Sequence, residues 1–84
     1  MEVSIKITIL FFGIAHDLTG VRQLPLDISA GIDTDALRSL LAERYAGLNS
    51  TLGYAIAVNE VLCTQVSVLK DGDVVAILPP VSGG

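Results

Sequence analysis

Residues 3–12 alternate between apolar and polar character over their first half, and this pattern constrains the fold more than any other part of the sequence. The odd positions are apolar and mostly β-branched, whereas Lys6 and Thr8 lie at even positions. Alternation with a period of two is typical of a strand that buries one face. We therefore expect a strand here, with Leu10 and Phe12 on the face that carries the polar residues. Its predicted core residues are Val3, Ile5, Ile7, Ile9 and Phe11.

A helical repeat lies in the middle of the chain. Apolar residues recur at steps of three and four between positions 37 and 48, which predicts one amphipathic helix of about three to four turns. Asp33 is a suitable N-cap, because its carboxylate can accept a free backbone N–H of the first turn. Gly47 is the predicted C-cap. The predicted apolar stripe consists of Leu37, Leu40, Leu41, Tyr45 and Leu48.

Short apolar segments elsewhere predict strands. They lie at residues 21–28, 54–58, 61–62 and 74–78, with a less regular candidate at 65–69, and residues 13–20 are predicted to be a loop. Pro25 cannot donate a backbone hydrogen bond, so its strand is expected at an edge. The order strand–strand–helix–strand–strand favours an α+β roll, a mixed sheet with one main helix packed on one face. With the first and last strands as parallel central neighbours, this is the β-grasp, or ubiquitin-like, fold.

The chain ends in an unusual way. The strand predicted at 74–78 runs directly into two prolines, and proline has no amide hydrogen and a fixed φ, so the strand must stop there. We expect residues 79–84 to form an extended arm with a diglycine tip, and the α-carboxylate of Gly84 to be the working group of the protein. A functionless, disordered end is the alternative. The arm consists of Pro79, Pro80, Val81, Ser82, Gly83 and Gly84.

Size and charge limit the classes of function. Eighty-four residues predict a single domain over 1–84, and 51% of the residues are hydrophobic. Lys and Arg together number 5 against 9 for Asp and Glu, giving a net charge of −4. An acidic domain without a basic cluster is a poor nucleic-acid binder, so we expect a protein partner that carries basic residues.

The sequence also bears on location. The longest apolar run, at 9–15, is far shorter than the roughly 20 residues that a membrane-spanning helix needs. The first residues do not resemble a secretory signal, and one cysteine cannot form an internal disulfide. We therefore predict a cytoplasmic protein that binds neither membranes nor nucleic acids.

Five segments together resemble the small subunit of molybdopterin synthase, a sulfur carrier with the ubiquitin-like β-grasp fold. The resemblance covers nearly the whole chain, and its most specific part is the Asp-Gly-Asp turn followed by a strand and the proline–diglycine ending. His16 stands where this family often carries arginine. The segments are Leu10-Phe11-Phe12-Gly13, Asp17-Leu18-Thr19-Gly20, Ala57-Val58-Asn59, Lys70-Asp71-Gly72-Asp73-Val74-Val75 and Pro79-Pro80-Val81-Ser82-Gly83-Gly84.

The resemblance implies a role in molybdenum cofactor biosynthesis. An adenylyltransferase similar to the ubiquitin activators would adenylate Gly84 with ATP and Mg²⁺, and a persulfide donor would convert the adenylate to a thiocarboxylate. Residues 79–83 would thread into the large synthase subunit, where sulfur passes to cyclic pyranopterin monophosphate. The two subunits are expected to form a heterotetramer. This chain would then donate sulfur without being the catalyst, and it would bind no cofactor or metal itself.

A docking patch is expected on the outer face of the sheet. Strand parity places Phe12 and Leu78 there, close to the start of the arm, and the resemblance adds Leu62. Exposed apolar side chains gathered at one place usually mark an interface. The alternative is that these three are ordinary core residues or isolated surface residues.

Four other side chains have chemistry that could serve a function. Cys63 is expected to be a small apolar residue in or near the core, because free cysteine is among the most buried residue types. His16 is expected on a loop surface. Asp71 and Asp73 are expected to be turn residues, since two carboxylates fall short of the six to eight oxygens that calcium prefers.

The resemblance leaves other functions open. One is a ubiquitin-like modifier joined through Gly84 to lysines of target proteins. Another is a sulfur carrier of a different pathway, for thiamine or for tRNA thiolation, that uses the same diglycine end. A third is an interaction domain whose tail is inert.

Overall fold

The computed structural model describes residues 3–50 and 54–78, and these residues form one five-stranded sheet with helices on one side of it. The strands are β1 (Ser4–Phe11), β2 (Gln23–Ser29), β3 (Ala55–Val58), β4 (Val61–Leu62) and β5 (Val74–Leu78). The helices are α1 (Ile14–Thr19) and α2 (Thr34–Arg44), and α2 is followed by a 3-10 helix (Ala46–Ser50).

The first and last strands lie side by side at the centre of the sheet. The order is β2-β1-β5-β3-β4, with β1 and β5 parallel and every other pair antiparallel. The predicted β-grasp fold is therefore confirmed. Pro25 lies in β2 at an edge, as expected, because an edge strand has one side on which its missing N–H costs no ladder bond.

The core lies between the sheet and α2. The alternation in the first strand is confirmed at Ile5, Ile7, Ile9 and Phe11, which are all buried. Val3 was wrongly assigned to this core and is 67% exposed. It precedes β1 at the end of the sheet, where its carbonyl accepts a hydrogen bond from the Ala30 N–H but its side chain lies outside the core cluster.

Helix α2 begins as predicted and ends earlier than predicted. The Oδ1 atom of Asp33 accepts a hydrogen bond from the N–H of Ala36 at 2.9 Å, which confirms the N-cap. The helix ends at Arg44 because Tyr45 leaves the helical region, with φ −130° and ψ 86°. Gly47 is therefore not the C-cap and lies in the 3-10 helix. Leu48 still reaches the core from that helix.

Arg38 joins α2 to the residue that precedes β3. Its Nη1 atom donates to the carbonyl oxygen of Tyr54 at 2.9 Å, and its guanidinium carbon lies 4.8 Å from the centre of the Tyr54 ring. Burial raises the pKa of the Tyr54 phenol above its ordinary value, although the nearby Arg38 charge acts in the opposite direction. This contact fixes the point at which the chain enters β3.

One predicted loop and one predicted strand need correction. Residues 13–20 contain the six-residue helix α1, which is bounded by glycines at positive φ, Gly13 (55°) and Gly20 (73°). Its Ala15 is buried against the core. Residues 65–69 form no strand, and only Val68 makes a single bridge, to Asp33.

Candidate functional site

The parallel pairing of β1 and β5 brings their carboxyl ends to the same end of the sheet. The N–H of Phe12 donates to the carbonyl oxygen of Ile77 at 3.3 Å, so Phe12 lies beside the end of β5. Leu78 is the last residue of β5 and the last residue that the structure describes. The predicted arm lies outside the described residues, and it comprises Pro79, Pro80, Val81, Ser82, Gly83 and Gly84.

The outer face of the sheet, opposite α2, carries an apolar surface that extends along β5 from Val74 to Leu78. Val75 and Ile77 point into the core, which confirms the predicted parity of β5. Phe12 is 47% exposed and Leu62 is 55% exposed, and Leu78 is half-buried. We call this surface the outer patch, and it consists of Leu10, Phe12, Leu62, Val74, Ala76 and Leu78.

The sheet register brings the three predicted patch residues to one face. One cross-strand row on this face runs through Leu10, Ala76, Ala57 and Leu62. Phe12 and Leu78 lie beyond that row, toward the end where the chain continues to residue 79. The assignment of Phe12, Leu62 and Leu78 to ordinary core is therefore wrong, and their role in docking stays a prediction.

A shallow depression forms part of the outer patch. Its lining combines apolar strand residues with the two residues of the β3–β4 turn, and none of the described residues that line it is a lysine or an arginine. The lining residues are Leu10, Phe12, Asn59, Glu60, Val74 and Ala76. An apolar side chain of a partner protein can rest in such a depression with the turn at its border.

Hydrogen bonds to Asp73 hold that turn in place. Asp73 is buried, and its Oδ1 atom accepts from the Nδ2 atom of Asn59 at 2.9 Å. Its Oδ2 atom accepts from the N–H of Lys70 at 2.8 Å. The Oδ1 atom of Asn59 in turn accepts from the N–H of Val74 at 2.9 Å. This network ties the β3–β4 turn to the beginning of β5.

The same contacts confirm that Asp71 and Asp73 are turn residues. The Oδ1 atom of Asp71 accepts the N–H of Lys6 at 2.8 Å, so both carboxylates are used by donors of the fold itself. Gly72 between them has φ 86°, a conformation that glycine adopts at no steric cost. The sequence indicated the turn, but it did not indicate that Asn59 would be the partner of Asp73. The Asn59-Glu60 pair between two predicted strands is the sequence feature that could have indicated this partner.

A model of the ThiS family matches residues 9–84. The chain belongs to the ThiS family. It is 33% identical to the molybdopterin synthase sulfur carrier subunit of Arabidopsis thaliana, over 96% of this chain and 85% of that protein. The resemblance to the small subunits of molybdopterin synthase is thereby confirmed.

Two solved structures of similar chains agree with this ThiS-family fold. One is a complex of subunits 1 and 2 of the molybdopterin-converting factor from Helicobacter pylori 26695, with 36% identity, a TM-score of 0.64, and coverage of 95% of this chain and 100% of that one. The other is the small archaeal modifier protein 1 from Methanosarcina acetivorans, with 25% identity, a TM-score of 0.74, and coverage of 98% and 99%.

His16 of this ThiS-family chain lies on α1 and not on a loop. Its side chain is 35% exposed, and its Nδ1 atom lies 3.8 Å from Oδ1 of Asp17. It shares a shallow surface depression with Phe12 and Arg22.

Cys63 lies directly after β4. It is half-buried and packs against the core cluster, which confirms its placement in or near the core. Its Sγ atom lies 3.9 Å from the carbonyl oxygen of Val61. Within residues 3–50 and 54–78, no three His, Cys, Asp or Glu side chains gather as metal ligands, and no helix is long and apolar enough to cross a bilayer.

Proposed function

We propose that this ThiS-family chain is the sulfur carrier subunit of a molybdopterin synthase and that the sulfur travels on Gly84. The observation that carries the proposal is the central parallel pair. It places the end of β5 beside an exposed apolar patch, and the sequence that follows is the proline–diglycine arm. The similarity to the Arabidopsis thaliana sulfur carrier subunit supports it.

The arm suits acyl chemistry at its last atom group. The carboxylate of Gly84 is a poor electrophile, so an activating enzyme transfers the adenylyl group of ATP to it and releases pyrophosphate. The persulfide sulfur of a donor then displaces AMP at the acyl carbon, and a thiol cleaves the S–S bond to leave a thiocarboxylate. Because glycine has no Cβ, the final residues can enter a channel too narrow for side chains. The receiving substrate is cyclic pyranopterin monophosphate.

The outer patch is the proposed docking surface for the large synthase subunit and, in turn, for the activating enzyme. The Helicobacter pylori complex supports a partner of the first kind, because a chain similar to this one takes part in an assembly of subunits 1 and 2. The proposed assembly is a heterotetramer of two small and two large subunits. The bases and the substrate pocket then belong to the large subunit.

Intact-mass measurement of the chain purified from cells tests the sulfur chemistry. We expect a species heavier than the unmodified chain by the mass difference between sulfur and oxygen, and fragmentation should place that gain on Gly84. Cys63→Ser should show the same gain, since the sulfur travels on a backbone acyl group. A persulfide on Cys63 would instead add a whole sulfur atom and be lost on treatment with a thiol. A gain that disappears in Cys63→Ser would refute the proposal.

A modifier function is the second candidate, and the similarity to the Methanosarcina acetivorans modifier protein favours it. In that case Gly84 would form an amide bond with a lysine of another protein. Digestion of a cell extract would then yield branched peptides that carry the last residues of this chain. Branched peptides without any thiocarboxylate would favour the modifier over the carrier.

Truncating the outer patch should weaken binding much more than it weakens the fold. We expect Phe12→Ala combined with Leu78→Ala to cost roughly 1–3 kcal/mol of binding free energy for each anchor. The effect on unfolding should be smaller, because neither side chain belongs to the core cluster. Calorimetric titration with the large subunit and thermal unfolding would measure the two effects.

Val66→Ala is a matched control for this experiment. Val66 is 55% exposed and lines a different depression, beside α2, so its loss should leave affinity unchanged. If the double variant unfolds while the affinity of each folded molecule is unchanged, the outer patch is not the docking surface.

A further inference from the structure

Glu60 adopts an unfavourable backbone conformation at the tip of the β3–β4 hairpin. Its φ is 70°, and the φ of the preceding Asn59 is 51°. A two-residue hairpin turn with both φ values positive favours glycine at the second position, where this chain has glutamate. Asn59 is compensated by its hydrogen bonds to Asp73 and Val74. Among the residues that the structure describes, the Glu60 side chain has no such compensation, since it makes no hydrogen bond or ion pair.

The strained residue lies at the border of the outer patch. Glu60 is exposed and lines the same depression as Phe12 and Val74. Strained backbone conformations occur often at functional sites. No hydrogen bond or ion pair within the described residues explains the strain at Glu60, and a contact with another protein would explain it. A protein that covers the outer patch would take this carboxylate partly out of water. Removing a carboxylate from water is costly unless a cation pairs with it.

We propose that Glu60 is a specificity-determining contact residue, whose carboxylate accepts hydrogen bonds from a lysine or arginine of the protein that covers the outer patch. This inference rests on the proposed function, and the partner to which it commits is the large subunit of molybdopterin synthase. That subunit would present apolar side chains to the depression and a cationic side chain beside them. The net charge of −4 on this chain also favours a partner whose contact surface is positively charged. Nucleic acids and anionic membranes would be repelled at this border.

A charge-neutral variant with a matched control tests the contact. Glu60→Gln keeps the size of the side chain and removes its charge, and Glu43→Gln makes the same change at an exposed residue of α2, on the other side of the sheet. In calorimetric titrations with the large subunit at low salt, Glu60→Gln should bind about fivefold more weakly, and Glu43→Gln should bind like the wild type. The difference should shrink as salt is added. Equal losses in both variants would mean only a general charge attraction and would overturn the inference.

A glycine variant separates strain from contact. Because glycine adopts positive φ without strain, Glu60→Gly should raise the melting temperature by a few degrees while its affinity falls as it does in Glu60→Gln. A Glu60→Gly chain that binds as tightly as the wild type would refute the inference.

The outcome for the wild type distinguishes this inference from the proposed function. If the wild type binds the large subunit and both Glu60 variants bind it equally well, the Glu60 contact is refuted and the proposed function is not. A wild type that does not bind the large subunit at all refutes both.

Discussion

Deleting Gly84, or adding one residue after it, is expected to abolish sulfur transfer without changing the melting temperature. An extended chain advances about 3.3–3.6 Å for each residue. Reacting atoms must come within about 3–3.5 Å of each other in a productive geometry, so a shift of one residue removes the acyl carbon from reach. The core cluster of the described residues lies between Ile5 and Ile77, so we expect a change at Gly84 to leave it intact. Molybdopterin formation with the large subunit and thermal unfolding would measure both effects.

Ser82→Ala is the matched control for the change in length. It keeps both prolines, both glycines and the number of residues, so it should retain most of the sulfur transfer. The proposal would be wrong if an extended chain still matured molybdopterin and intact-mass measurement showed that the extra residue had not been trimmed.

Asn59→Ala is expected to destabilise the fold more than the other substitutions proposed for this chain. The substitution removes the donor to the buried Asp73 carboxylate and the acceptor of the Val74 N–H. It also places alanine at a φ of 51°, which asparagine tolerates better. Together these losses should cost roughly 2–4 kcal/mol of unfolding free energy. Urea denaturation would measure the cost.

Asn59→Gly divides this cost between its two causes. Glycine accepts the positive φ but makes neither side-chain hydrogen bond, so this variant should lie between the wild type and Asn59→Ala. A loss below about 0.5 kcal/mol in Asn59→Ala, the range of ordinary surface substitutions, would show that the network around Asp73 is not a principal support of the fold.

Strong periodicity explains what could be predicted of the fold. The alternation in β1 identified both of its faces, and the continuous apolar run at 74–78 indicated that β5 lies inside the sheet. Because side chains in a strand alternate strictly, knowing which face is buried also identified Phe12 and Leu78 as residues of the outer face. The N-cap at Asp33 was recognisable for a similar reason, since capping depends on a local side chain.

Features that depend on tertiary contacts could not be predicted. Helix α1 has six residues, too few to show a repeat, and its two boundary glycines resemble those of a loop. The apolar stripe continues to Leu48, but helix α2 ends at Arg44. A 3-10 helix brings Leu48 to the core instead. The strain at Glu60 could not be predicted either, since its φ depends on the β3–β4 turn. Its place in the depression that Phe12 also lines depends on how β1, β5 and β3 pair.

The central position of β5 has a consequence for synthesis on the ribosome. A growing chain can form the β1–β2 hairpin early, but the other side of β1 has no partner until residues 74–78 emerge. Closing a loop of that length is slow compared with forming local contacts. Until then the nascent chain exposes the strand that carries Ile7 and Ile9, and an unpaired apolar strand edge invites aggregation. Translation that stalls before β5 should therefore yield a substrate for chaperones and proteases.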